Sequence, residues 1–274
     1  MPRSKAVGKH VVLIGAGRMG SAMAAGWLRD PASAGIASLD LVEPNPAESV
    51  ARLAARKSVR LNPKPSIADV VVLAVKPQQI AATAPAIAPW TGPETLIVSI
   101  LAGVTISRLS ELLGVSRIVR AMPNTPGSIG AGVTAFSLSS ACSDAESAIA
   151  VQFLQPLGRV IGPLDERKMD AVTAVSGSGP AYVFLLTEAL AAAGRSMGLD
   201  SETAEALAVE TVVGGGKLLA EGGAPSDLRK AVTSPGGTTA AALDVLMGQG
   251  GLPELMRRAV EAATKRGAEL SRDS

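Results

Sequence analysis

Residues 11–20 have the sequence Val-Val-Leu-Ile-Gly-Ala-Gly-Arg-Met-Gly, and they set the architecture of the first half of the chain. Val11–Ile14 is a short apolar run typical of a buried strand, and a helical pattern begins at Gly20. Gly15, Gly17 and Gly20 have the spacing of a dinucleotide-binding turn. The first glycine allows the tight turn, the second lets the backbone approach a pyrophosphate, and the third lets helix and strand pack closely. The stretch therefore predicts a phosphate cradle at the N-terminus of the first helix.

The first half of the chain continues this alternation of strands and helices, as expected for a largely parallel sheet. We predict strands at Val11–Ile14, Leu39–Val42, Val70–Val75, Leu96–Ile100 and Arg117–Ala121, and helices at Gly20–Arg29, Ala47–Arg56 and Ser107–Leu113. From about residue 165, long stretches rich in Ala, Leu and Glu replace this pattern. The sequence therefore predicts an α/β fold, with a Rossmann-type dinucleotide-binding domain over residues 1–164 and an all-helical domain over residues 165–274.

The composition excludes several kinds of chemistry. The 274 residues include one His, one Cys and one Tyr, whereas a metal centre of His and Cys ligands needs three or four and a disulfide needs two Cys. We therefore predict no bound metal. A net charge of +2 and an aromatic content of 2% disfavour nucleic-acid binding. Without a signal-peptide pattern or an apolar stretch of about 20 residues, we expect no membrane association and a cytoplasmic location.

Glu43 follows the second predicted strand, at the position where an acidic side chain accepts hydrogen bonds from the adenine ribose hydroxyls. A carboxylate there would repel a 2′-phosphate, because two negative charges at close range raise the energy of the bound state. Glu43 therefore favours NADH over NADPH. The alternative interpretation is an ordinary exposed charge at a strand end.

Loops after the later strands complete the candidate site. Ligands of open α/β sheets lie outside the carboxyl ends of the strands, where this chain has Ala74–Pro77, Ala102–Gly103 and Ala121–Pro126. In the helical half, Ser176–Pro180 and Ser234–Thr239 each precede a predicted helix. Free N–H groups and hydroxyls at a helix N-terminus suit a carboxylate ligand, although the same loops are also typical of simple caps and turns.

These motifs resemble those of the pyrroline-5-carboxylate reductase family, in the same order from about residue 10 to residue 265. The resemblance rests on Ala74–Pro77, Arg120–Pro126, Val175–Tyr182 and Ser234–Thr239. It implies hydride transfer from NADPH or NADH to the C=N carbon of 1-pyrroline-5-carboxylate, which gives L-proline in the last step of proline biosynthesis. It also implies a helical domain through which subunits form homodimers, and in some members a ring of dimers such as a decamer.

The resemblance assigns individual residues to the two ligands. The implied cofactor-binding residues are Ile14, Gly15, Ala16, Gly17, Arg18, Met19, Gly20, Glu43, Asn62, Val75, Lys76, Pro77, Ala102, Gly103 and Asn124. The implied substrate-binding residues are Ser234, Gly236, Gly237, Thr238, Thr239, Ser176 and Glu166. Thr239 would bond the ring nitrogen, and its neighbour Thr238 is the alternative. Many members of the family have a small polar residue where this chain has Glu43, which puts a preference for NADPH in doubt.

Two other functions are compatible with parts of the pattern. A 3-hydroxyacid dehydrogenase also joins a Rossmann domain to a helical one, but it needs a general base, usually a lysine at the start of the long helix. This chain has Pro180-Ala181-Tyr182 there, without a lysine. A non-catalytic protein that senses NAD(P) is the second alternative, and the substrate-type loops disfavour it. An imine that is protonated before it binds needs no enzymic acid, in keeping with the shortage of His and Tyr.

Overall fold

A computed structural model describes residues 8–32 and 34–273. Within them the strands form one eight-stranded sheet, in the order β3-β2-β1-β4-β5-β6-β7-β8. The strands are β1 (Lys9–Ile14), β2 (Ile36–Val42), β3 (Val59–Leu61), β4 (Val70–Leu73), β5 (Leu96–Ser99), β6 (Ile118–Met122), β7 (Gly132–Leu138) and β8 (Gly158–Ile161). The strands from β3 to β6 pair in parallel, β7 runs antiparallel to β6, and β8 pairs in parallel with β7. The predicted α/β fold with a largely parallel sheet is confirmed.

The described α-helices fall into two groups. Six of them follow strands or the end of the sheet: α1 (Arg18–Trp27), α2 (Glu48–Ala54), α3 (Ile80–Ile87), α4 (Ile106–Leu113), α5 (Asp144–Leu154) and α6 (Met169–Val172). The others are α7 (Gly179–Ser196), α8 (Ser201–Glu221), α9 (Pro225–Ala231), α10 (Thr238–Leu246) and α11 (Leu252–Asp273). The uninterrupted helical series after residue 178 matches the predicted all-helical second half.

The central strands of the sheet are buried on both faces, as β1 illustrates. Val11 and Leu13 belong to a core that includes Trp27 and Phe153. The alternate residues of the strand, Val12 and Ile14, belong to the core on the opposite face. On the first face the Trp27 indole donates to the Phe153 carbonyl at 2.8 Å, so its polar group is satisfied although the ring is fully buried.

The chain folds into two compact units. The first, here called the sheet unit, comprises residues up to 177 together with the end of α11 from residue 263; the second, the helical unit, comprises residues 178–262. The sequence pattern changes near residue 165, but the following segment remains with the sheet because Met169 and Ala174 are buried there. The boundary between a Rossmann-type domain ending at residue 164 and a helical domain beginning at residue 165 stays a prediction.

Candidate active site

The glycine loop after β1 has the geometry that the sequence predicts. Gly15 has φ +91°, and a Cβ there would lie 2.7 Å from the Ala74 carbonyl group, so only glycine fits. A Cβ on Gly20 would lie 2.2 Å from the Gly15 oxygen, which shows how closely α1 packs on the loop. A Cβ on Gly17 would meet no atom within 4 Å. The loop is therefore closed against the protein at Gly15 and Gly20 and open to a ligand at Gly17.

The first turn of α1 offers backbone donors to that open space. Gly17 is the N-cap residue, and no side chain caps the helix. The first turn carries no acidic residue, and Arg18 is exposed. Uncapped N–H groups at the positive end of a helix dipole suit a phosphate. These residues fit the pyrophosphate of a dinucleotide.

Glu43 lies beside this loop, at the end of β2. Its carboxylate accepts hydrogen bonds from the Ala16 amide at 2.9 Å and from the Asn45 amide at 3.0 Å. Asn62 holds the Glu43 backbone in place, because its side chain accepts from the Glu43 amide at 2.8 Å and donates to the Glu43 carbonyl at 2.9 Å. The carboxylate is thereby fixed between β2 and the glycine loop, where an adenine ribose would approach. Asn62 acts here on the protein backbone.

The carboxyl ends of the central strands meet at one edge of the sheet. The Ala74 amide donates to the Ile14 carbonyl at 2.8 Å, and the Ile100 amide donates to the Leu73 carbonyl at 3.0 Å. The strand order reverses between β1 and β4, which is the point where open α/β sheets bind ligands. Ala74–Pro77 and Ala102–Gly103 leave the sheet at this edge, with Val75 half-buried and Lys76 exposed. Gly103 has φ +77°, a conformation that favours glycine.

The side chain of Asn124 bonds to the protein backbone. It precedes the short turn Thr125–Ile129, and its side-chain oxygen accepts from the Val133 amide at 2.9 Å. This bond holds the start of β7 against the end of β6. A role of Asn124 in cofactor binding stays a prediction.

The loop Ser234–Thr239 produces a second uncapped helix N-terminus, in the helical unit. The Gly237 amide donates to the Ser234 carbonyl at 3.1 Å, and Gly236 has φ +68°, so the chain turns sharply into α10. Gly237 is the N-cap residue and supplies no side chain to the first turn. Thr238 is exposed and Thr239 is half-buried. The turn thus presents backbone N–H groups and two hydroxyls, a combination that suits a carboxylate and a neighbouring polar atom.

Ser176 lies in a helical turn rather than in the open loop that the sequence predicts. Residues 173–177 form a π-helical turn after α6, and the Ser176 hydroxyl donates to the Val172 carbonyl at 2.9 Å. Ser178, the N-cap residue of α7, already has helical backbone angles. The interpretation of residues 176–180 as a free helix N-terminus is therefore wrong at Ser176. Its assignment to the substrate stays a prediction.

Glu166 lies in the sheet unit with one carboxylate oxygen engaged twice. That oxygen accepts from the Arg120 guanidinium at 3.0 Å and from the Ile106 amide at 2.8 Å. In the neighbouring residues, the Arg167 side chain donates to the Asp165 carboxylate, and this hydrogen bonding holds the pKa of Asp165 well below its usual range. Asp165 is therefore ionised at neutral pH and offers no proton to a reaction. Contact between Glu166 and a substrate stays a prediction.

Comparisons with known proteins agree on one family. A family profile for the dimerisation region of pyrroline-5-carboxylate reductase matches residues 166–270, and a profile for coenzyme F420-dependent NADP oxidoreductases matches residues 10–103. The chain is 40% identical to the pyrroline-5-carboxylate reductase of Pseudomonas aeruginosa, over 96% of this chain and 97% of that one. It is 36% identical to the soybean enzyme, over 94% of each chain. The chain belongs to the pyrroline-5-carboxylate reductase family.

Solved structures of pyrroline-5-carboxylate reductases have the same fold. A structure from Coxiella burnetii superposes with a TM-score of 0.86 at 34% identity, covering 96% of this chain and 98% of that one. A structure from Plasmodium falciparum with NADP bound superposes with a TM-score of 0.77 at 28% identity, covering 97% and 99%. The sequence resemblance stated above is thereby confirmed.

The helical unit exposes an unusual amount of apolar surface for a region that matches the reductase dimerisation profile. Between residues 178 and 262, the buried apolar side chains that the structure describes are those of Ala191, Ala204 and Ala208. By contrast, the four consecutive residues 183–186 of α7 are each at least 44% exposed, and Phe184 is 61% exposed. No helix among the described residues is both long and apolar enough to cross a membrane. In the sequence, only the high content of Ala and Gly in the helical half points to such a surface.

Proposed function

We propose that this chain catalyses the NAD(P)H-dependent reduction of 1-pyrroline-5-carboxylate to L-proline. The observation that carries the proposal is the pair of uncapped helix N-termini, at Gly17 for a pyrophosphate and at Gly237 for a carboxylate. Membership of the reductase family supports the same assignment. A sensor without catalytic function would not need the second of these sites.

In this reaction the protein mainly holds and orients two ligands, the cofactor and the imine. A bound nicotinamide supplies the hydride that the C=N carbon accepts. The first turn of α10 holds the substrate carboxylate through its N–H groups, and the hydroxyl of Thr239 or Thr238 accepts from the protonated ring nitrogen. The iminium is already electrophilic, so positioning and exclusion of water supply the rate enhancement. The scarcity of proton donors in the sequence is compatible with this chemistry.

Thr239→Val is expected to lower kcat/KM for the imine by about 10- to 100-fold. The substitution keeps the shape of the side chain and removes the hydroxyl, whose hydrogen bond to a charged group contributes about 1.5–3 kcal/mol. KM for the cofactor should change little, because the substitution leaves the glycine loop that holds the pyrophosphate intact. Steady-state kinetics with each substrate varied in turn provide the measurement.

Thr238→Val is the matched control for the neighbouring hydroxyl. If Thr239 bonds the ring nitrogen, Thr238→Val retains most of the activity, and an inverted pattern would assign the role to Thr238. Unchanged kcat/KM in both variants would reject the assignment of the nitrogen contact to this turn.

We also propose that the reductase prefers NADH to NADPH. The Glu43 carboxylate is fixed beside the glycine loop by two backbone amides, so a 2′-phosphate would meet a negative charge that has no freedom to withdraw. Glu43→Ser is expected to raise the ratio of kcat/KM for NADPH to kcat/KM for NADH at least tenfold. Glu48→Ser, which removes an exposed carboxylate on α2, is the control and should leave the ratio unchanged. A wild-type enzyme that strongly prefers NADPH would contradict the proposal.

We further propose that the protein works in the cytoplasm as a homodimer joined through its helical unit. The exposed apolar residues of α7 and α8 support this proposal, because a large exposed apolar patch on a folded domain marks an interaction surface. Gly214, Gly215 and Gly216 in the middle of α8 add to it, since a Cβ on any of them would meet no atom within 4 Å. A closely packed second subunit gives these helix-weakening residues a purpose. A ring of dimers, such as a decamer, is a further possibility that the family resemblance suggests.

A further inference from the structure

Arg120 is a buried charge to which the cofactor and substrate assignments give no role. It lies in β6, and its side chain is only 5% exposed. Its guanidinium donates to Glu166 at 3.0 Å and lies 3.5 Å from a carboxylate oxygen of Asp170. A buried arginine that pairs with two carboxylates fixes both of them, because its planar fork has donors in several fixed directions.

Each carboxylate transmits this constraint to a different element of the sheet unit. Glu166 accepts from the Ile106 amide at 2.8 Å, and Ile106 is the first residue of α4. Asp170 lies 3.4 Å from the hydroxyl of Ser271, near the end of α11. A Cβ on Gly267 would lie 3.4 Å from the Asp170 Cβ, so α11 passes Asp170 in van der Waals contact. Arg120 thus ties together the start of α4 and the end of α11.

Both elements border the loop that carries Ala102 and Gly103. The loop leads directly into α4, so the Glu166–Ile106 bond holds one of its ends. The end of α11 covers its surface: a Cβ on Gly103 would lie 3.5 Å from the Leu270 Cβ and 3.7 Å from the Ser271 amide nitrogen. Gly103, with φ +77°, has the backbone conformation of a sharp turn that this packing supports.

We propose that Arg120 is a positioning residue for the Ala102–Gly103 loop, acting through Glu166 and Asp170. The inference rests on the proposed cofactor site, in which the family resemblance assigns Ala102 and Gly103 to the nicotinamide ribose and ring. Hydride transfer depends on small distances, and a misplacement of about 1 Å is enough to slow a reaction by up to 100-fold. The adenosine half of the cofactor binds at the other side of the switch point, beside Glu43 and Gly17, where Arg120 has no contact in the described hydrogen bonds and ion pairs.

The experiment compares ADP-ribose, which lacks the nicotinamide, with NADH. In Glu166→Gln, Asp170→Asn and Arg120→Lys, we expect Kd for ADP-ribose to stay within about twofold of wild type, while kcat/KM for NADH falls about tenfold. Arg120→Lys should show this loss although it keeps the positive charge, because one ammonium group cannot bond both carboxylates as the guanidinium does. Arg117→Met, which removes ion pairs with Glu94 and Glu146 immediately before β6, is the control and should leave both quantities unchanged.

Two outcomes would overturn the inference. Weakening of ADP-ribose and NADH binding by the same factor would mean that Arg120 only stabilises the fold, and unchanged kinetics in all three variants would mean that it does not position the loop. Asp170→Asn keeps the test valid if Arg120→Lys does not fold, because Asp170 is about one-quarter exposed, is not among the implied substrate-binding residues, and retains an acceptor for Ser271 as an amide. A wild-type protein that binds neither ligand would refute the proposed function instead.

Discussion

Gly17→Val is expected to raise Kd for NADH more than 100-fold while the protein folds normally. The valine side chain would occupy the open space above the glycine loop, where the pyrophosphate must approach the first turn of α1. The backbone at Gly17 has φ −64° and ψ −166°, which a side chain tolerates, and a Cβ meets no protein atom within 4 Å. The effect therefore comes from lost binding and not from lost stability. Fluorescence titration with NADH, together with Tm, measures the two separately.

Two further variants serve as comparisons for Gly17→Val. Ala25→Val places the same side chain at an exposed position of α1 and should leave Kd and Tm near wild type. Gly15→Ala should lower Tm as well as binding, because Gly15 has φ +91° and its new Cβ would collide with the Ala74 carbonyl group. Normal NADH affinity in Gly17→Val would contradict the location of the phosphate cradle.

Phe184→Glu is expected to convert the proposed dimer into folded monomers. Phe184 is 61% exposed in the single chain, and replacing an exposed side chain normally changes stability by less than about 0.5 kcal/mol. In a dimer that buries this aromatic residue, the substitution removes an anchor and places an unpaired charge in the interface. Such a change costs about 3 kcal/mol or more, so Kd for dimerisation should rise more than 100-fold. Sedimentation velocity at micromolar protein concentration measures the change.

Ile67→Glu is the matched control for this experiment. Ile67 is 67% exposed and lies in the sheet unit, so the same change in charge should leave the dimer intact. A Phe184→Glu protein that sediments like wild type would show that the exposed surface of α7 lies outside the interface.

The sequence predicted the first half of the fold where local chemistry determines structure. Gly15 and Gly20 are required by the path of the backbone, and the apolar run at Val70–Leu73 leaves a buried strand as the simplest solution. Two helices were missed for local reasons. Pro85 lies inside α3, and a proline in that position is typical of a loop. The start of α5 does carry a local signal, the capping box of Ser143 and Glu146.

The strands and contacts that were missed depend on distant residues. β3 has three residues, and β8 alternates between half-buried and exposed positions, so neither stands out from the surrounding loops. β7 pairs antiparallel with β6, whereas the other strand pairs described in this sheet are parallel. The bond between Arg120 and Glu166 joins residues 46 positions apart, and nothing in either local sequence predicts it. Likewise, the hydrogen bond from the Ala16 amide to Glu43 appears only after β2 and the glycine loop come together.

In the proposed reduction of a cyclic imine, the start of α1 at Gly17 holds the cofactor and the start of α10 at Gly237 holds the substrate carboxylate. To test this, the purified protein is incubated with NADH or NADPH and 1-pyrroline-5-carboxylate. The loss of absorbance of the reduced cofactor and the appearance of L-proline are both followed. We predict one L-proline formed for each cofactor oxidised, with turnover lost in Gly17→Val. Tight binding of NADH without any formation of proline would contradict the account and favour a protein that senses the cofactor.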